Sequence, residues 1–147
     1  MSRLSMVQGT GLDDLLSGAP GALDADNEMR GQIRQQLSPR LYALIGVVVA
    51  GCLGCEQFVE NLRGPLDGFA AVQIAKDWRN AALAEAERAA LAYAEKGTLE
   101  EGSVRRADVE ALRTAGFDDK DILVIATAIA YHNYSIRMAA VFAVTPR

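Results

Sequence analysis

Histidine occurs once in this chain, as His132, and cysteine twice, as Cys52 and Cys55. A structural zinc site takes about four such ligands, so one subunit has too few to close one, and only a site shared between subunits satisfies the count. Basic residues are outnumbered, 15 Lys and Arg against 19 Asp and Glu, for a net charge of -4. Arg105 and Arg106 form an isolated basic pair, and no aromatics interleave with basic residues, so nucleic acid is not an expected partner. Long apolar runs are missing as well. The longest, Ile122 to Tyr131, falls short of the ~20 residues that span a bilayer. Residues 1–21 carry Arg3, then Asp13 and Asp14, which is not the cationic start and apolar stretch of a secretory signal. The expectation is a soluble cytoplasmic protein with no membrane partner. In that reducing compartment a cysteine pair serves redox chemistry more often than a permanent crosslink. Finally, no segment alternates apolar and polar residues with period two, which leaves no strand to predict.

What is present is helical. Half of the 147 residues are hydrophobic, enough for one domain with one core. Residues 1–21 are rich in Gly, Ser, Ala and Asp, with Leu12, Leu15 and Leu16 as a short amphipathic turn, and read as an arm held loosely or packed on a neighbour. Helical composition begins at Asp24 and runs to Gln36. Ser38 and Pro39 read as an N-cap followed by proline at the first helical position, opening an apolar helix to Ala50. A helix from Cys52 to Arg63, stopped by Gly64 and Pro65, comes next, then Phe69 to Arg79 and Ala82 to Lys96, the latter with Gly97 as its terminator. Asp108 to Ala115 is short, and Asp118 with Asp121 opens the last helix. The expected fold class is all-α, with six or seven helices: an arm and leading helix over residues 1–37 and the helical domain proper over 38–147.

Cys52 and Cys55 form a C-x-x-C pair directly after the apolar stretch. The thiolate is the nucleophilic form, and a helix N-terminus or a nearby cation favours it. If Gly51 ends one helix and Cys52 opens the next, both sulfurs face that positive end. Two buried cysteines acting as small hydrophobes are the alternative.

Four segments follow the pair in order: AKDWR (75–79), AERAALAYAEK (86–96), ADVEALRTAGFDDKDIL (107–123) and AYHNYSIRMA (130–139). With the Ser-Pro-started helix and the C-x-x-C, this series resembles the carboxymuconolactone decarboxylase superfamily, and within it the AhpD-like, peroxidase-related branch. The resemblance covers about residues 37–144. It implies an AhpD-like helical domain that forms homo-oligomers and reduces alkyl hydroperoxides without a cofactor or metal, with an external dithiol as reductant. It also implies the roles: Cys55 attacks the peroxide and Cys52 closes the disulfide. The family's usual proton relay has a histidine four residues after the second cysteine and a glutamate twelve before the first. This chain has Val59 and Arg40 there, and Gly54 where an aromatic residue or His is common.

Four side chains are candidates to take over proton handling or thiolate stabilisation. Arg40 can act by charge, Glu56 and Glu60 through water, and His132 from another helix, although each also fits a purely structural role. Asn133 and Arg137 are expected to pin the last helix at an interface around Tyr134, Met138 and Phe142. Two other functions stay open: a non-redox enzyme of the superfamily using His132 and acidic groups, and a catalytically silent oligomeric binding protein.

Overall fold

The computed structural model describes residues 11–147, apart from the side chain of Phe69. Met1 to Thr10, the first part of the arm, lie outside the described residues. The elements are α1 (Leu12–Ser17), α2 (Ala22–Gln36), α3 (Pro39–Cys52), α4 (Val59–Leu62), α5 (Gly68–Asp77), α6 (Glu85–Leu99), α7 (Arg106–Thr114) and α8 (Asp119–Phe142). Single 3-10 turns precede α4 and follow α5 and α6. Among the described residues there is no strand, only an isolated bridge between Gly11 and Thr145. Eight helices rather than six or seven lie among the described residues, because Leu12–Ser17 forms one of its own.

The centre is α3, buried without interruption from Leu41 to Ala50 and packed against α5, α6 and α8. Its start follows from its sequence: the Leu41 N–H donates to Ser38 Oγ at 3.1 Å, and Pro39 occupies a position whose N–H would have no partner. The long α8 opens with a reciprocal cap, Asp121 N–H to Asp118 Oδ1 at 2.8 Å and Asp118 N–H to Asp121 Oδ2 at 3.0 Å. No helix among the described residues is long and apolar enough to cross a membrane.

The described part of the arm is held. Leu12 and Leu16 are buried against Ala139 and Val144 at the far end of α8, and Leu12 N–H donates to Thr145 O at 2.9 Å. Its apolar residues have found cover within the chain, so the expectation of a loose arm or of a neighbour does not hold for α1. Gly97 does not end α6 either. It lies inside the helix, and a Cβ there would be in ordinary contact with Ile129 of α8. Asn133 donates to Thr98 Oγ1 at 3.0 Å and so pins α8 to α6 of the same chain.

Candidate functional site

The helix boundary at the cysteines differs from the expected one. Cys52 is the last residue of α3, Leu53 caps it, and Gly54 turns with φ +70°. The Cys55 N–H returns to Ala50 O at 2.8 Å and the Gly54 N–H to Gly51 O at 3.2 Å. This pair of bonds is a Schellman closure, which needs a left-handed residue at position 54 and explains the glycine there. Gly51, by contrast, is no terminator. A Cβ at that position would run into the carbonyl of Ala75, so Gly51 is where α5 presses against α3.

The two thiols therefore meet opposite fields. Cys52 sits at the negative end of α3, which disfavours thiolate, whereas Cys55 is the residue before a 3-10 turn (Glu56–Phe58) that leads into α4. Burial, then the charge of Glu95, push the Cys52 thiol up to about 11, with Arg79 opposing them. At neutral pH Cys52 is a thiol. Both cysteines are half-buried and free, and Cys55 Sγ donates weakly to Leu53 O at 3.6 Å.

The two charges that act on Cys52 belong to one ion pair. Arg79 Nη1 donates to Glu95 Oε2 at 2.9 Å, Trp78 Nε1 donates to the same oxygen at 2.7 Å, and the Arg79 guanidinium lies 4.3 Å from the centre of the Trp78 ring. The Arg79 hydrogen bond is the main reason Glu95 is held below the usual carboxylate range. Trp78 and Arg79 follow α5, while Glu95 projects from α6. Sequence reasoning gave Arg79 and Glu95 no role. The available signal was a Trp-Arg pair ending one helix and a glutamate on the next.

Arg40 and His132 do not join the cysteines. Arg40 stands in the first turn of α3, and twelve residues of continuous helix separate it from Cys52 by about 18 Å. It pairs instead with Glu87 of α6, Nε to Oε2 at 2.6 Å. His132 is 1% exposed, its ring 4.5 Å from that of Tyr42, and its Nε2 donates to Tyr42 O at 3.0 Å. It packs over Gly46, about 9 Å along α3 from Cys52. Burial brings its pKa down to about 4, so it is neutral. Glu56 and Glu60 are exposed on the segment after Cys55, Glu60 pairing with Arg63 at 3.2 Å. Val59, at the family's histidine position, is buried in the core. Among the described residues no group of three or more His, Cys, Asp or Glu could hold a metal ion.

No protein-family model and no curated protein matches this chain. Solved structures do. An uncharacterized peroxidase-related protein from Silicibacter sp. TM1040 is similar at 27% identity with a TM-score of 0.80, over 92% of this chain and 75% of that one. An uncharacterized peroxidase-related protein from Ralstonia eutropha JMP134, described as an alkylhydroperoxidase AhpD core, is similar at 25% identity with a TM-score of 0.75, over 90% and 74%. A central apolar helix that ends in a C-x-x-C pair thus lies inside an all-helical fold that this chain shares with these AhpD-like, peroxidase-related proteins, as the resemblance to that branch of the carboxymuconolactone decarboxylase superfamily implies.

Proposed function

We propose that the protein is a dithiol hydroperoxide reductase in which Cys55 attacks and Cys52 resolves. The observation that carries this reading is the asymmetry of the pair: Cys52 is held as a thiol by burial, Glu95 and a helix C-terminus, while Cys55 precedes the N-terminus of a turn. The Cys55 thiolate attacks the distal oxygen of R–O–O–H, forming the S–O bond of Cys55 sulfenic acid as the O–O bond breaks and an alkoxide is displaced, which takes a proton from water to leave as R–OH. The Cys52 sulfur then displaces hydroxide from the sulfenic acid; its thiol proton leaves with that hydroxide as water and the disulfide closes. An external dithiol restores both thiols and is itself oxidised to a disulfide. Such cycling suits a reducing, cytoplasmic setting.

In this reading Glu95 and Arg79 act on Cys52 by charge, and Arg40 and His132 have structural partners elsewhere, which leaves Glu56 and Glu60 as the expected candidates still beside Cys55. Glu95 acts on the resolving thiol through its charge, which favours keeping the proton on Cys52 until the disulfide forms. The non-redox alternative is left with its acidic groups alone, because His132 is buried, neutral and bonded to a backbone carbonyl.

The test is direct. Reduced protein is treated with one equivalent of cumene hydroperoxide, then weighed intact and titrated for thiols. The expected product has lost two hydrogens and both titratable thiols, and recovers them with a dithiol reductant. Unchanged mass with both thiols still present would overturn the proposal.

A further inference from the structure

The segment 86–96 supplies Glu95 and also carries Arg88, about two turns earlier on the same helix. At that spacing both side chains leave α6 on one face. The face meets the stretch that follows α5. Arg88 Nη1 donates to Arg79 O at 2.8 Å, and its Nη2 donates to Ala81 O. These carbonyls close the 3-10 turn Trp78–Asn80, where a helical backbone runs out of N–H partners of its own. Arg88 is half-buried, and both ends of its guanidinium fork go to that backbone.

Arg79 is thus held from α6 at two points, its carbonyl by Arg88 and its guanidinium by Glu95 Oε2 at 2.9 Å. Its place matters to the thiol. Among the described residues, the charges acting on Cys52 are Glu95 on α6, which favours the thiol, and Arg79 after α5, which favours the thiolate. Glu95 is fixed by its own helix, whereas Arg79 stands on a three-residue turn with its side chain 59% exposed. We propose that Arg88 is a positioning residue: its fork clamps the turn after α5, so that the Arg79 charge stays beside Cys52 and opposes Glu95. Two carbonyls must be met at once, which a planar fork does and a single ammonium does not reproduce. The assignment rests on Cys52 as the resolving thiol of the cycle above, whose proton leaves as the disulfide closes.

The unaltered protein, Arg88→Gln and Arg88→Lys are treated with iodoacetamide at pH 9, and the label on Cys52 is read by fragmenting the peptide that carries it. Both substitutions should slow Cys52 alkylation about threefold, because Arg79 moves away from the thiol while Glu95 stays. Arg88→Lys keeps the charge and loses the fork, and it decides the matter if Arg88→Gln fails to fold. Arg79→Gln alone should slow Cys52 about as much, and adding Arg88→Lys to it should slow Cys52 no further. A merely structural arginine would act equally with or without Arg79. Unchanged or faster alkylation of Cys52 in folded Arg88→Lys, or a slowing that persists when Arg79 is already replaced, would overturn the proposal. No peroxide enters this comparison, so a disulfide that fails to form under peroxide counts against the cycle alone and leaves the alkylation rates to decide the role of Arg88.

Discussion

The imidazole of His132 rests on the backbone of Gly46, so closely that a Cβ on that glycine would stand 2.8 Å from the ring's Cε1. The pair locks α8 onto α3 and keeps the ring away from solvent. A histidine buried in this way titrates differently in the two states of the chain. Unfolded, it takes up a proton below its ordinary pKa of 6.5; folded, only below about 4. The unfolded chain therefore binds more protons through that window, and stability present above pH 6.5 is lost as the pH falls toward 4. Between pH 7.5 and pH 5 the loss from this one group is about 2 kcal/mol. Urea denaturation at the two pH values should show the unaltered protein losing that much more than His132→Gln. Equal losses would remove the buried neutral imidazole from the account.

The cysteines should react in a fixed order. At pH 8, iodoacetamide is expected to modify Cys55 first, because Cys52 is held as a thiol up to about 11. Glu95→Gln removes the charge that raises Cys52, so its alkylation profile should move to lower pH. Burial, the larger cause, remains, and the profile will not return to that of a free thiol. Peptide mass mapping reads the order, and modification of Cys52 first would exchange the attacking and resolving roles.

Arg40 serves as the counter-test. Its partner is Glu87, and its side chain is 52% exposed, so Arg40→Ala should cost under about 1 kcal/mol of stability. The alkylation rate of Cys55 should not change. A slowed Cys55 would mean that the Arg40 charge reaches the thiol despite the length of α3 between them.

How much of this was legible in the sequence depends on the range of the forces involved. Local signals read correctly: Ser38 with Pro39, Asp118 with Asp121, and the stop at Gly64 with Pro65 each act within one turn. The boundary at the cysteines was misread because two glycines lie three residues apart and only one is a terminator. Gly54 has the left-handed backbone, while Gly51 answers to Ala75, a residue of another helix. The neighbours of Cys52 were harder still. Arg79 and Glu95 reach it from two later elements, and no spacing along the chain announces such a meeting. Arg40 was misplaced for the opposite reason, since a helix with no break carries its two ends far apart.

Association is the remaining expectation. Val141 is 77% and Phe142 37% exposed at the end of α8, next to the half-buried Met138. We propose that this end joins a symmetric homo-oligomer, as apolar side chains grouped on a helix end favour. Light scattering should return a multiple of 15.7 kDa for the unaltered protein and a smaller species for Val141→Asp. A monomer in both cases would rule the contact out.

The glycines around the pair also bear on how this chain can drift. Gly46 is fixed by the His132 ring, Gly51 by a carbonyl of α5 and Gly54 by its own dihedral angle, whereas a Cβ on Gly31 or Gly102 would meet nothing. Descendants can rewrite the last two freely and the first three hardly at all. Glycine at those three places, set against the two cysteines, is thus a signature that would outlast the chemistry: a lineage that lost both thiols would still carry it for as long as it kept the fold.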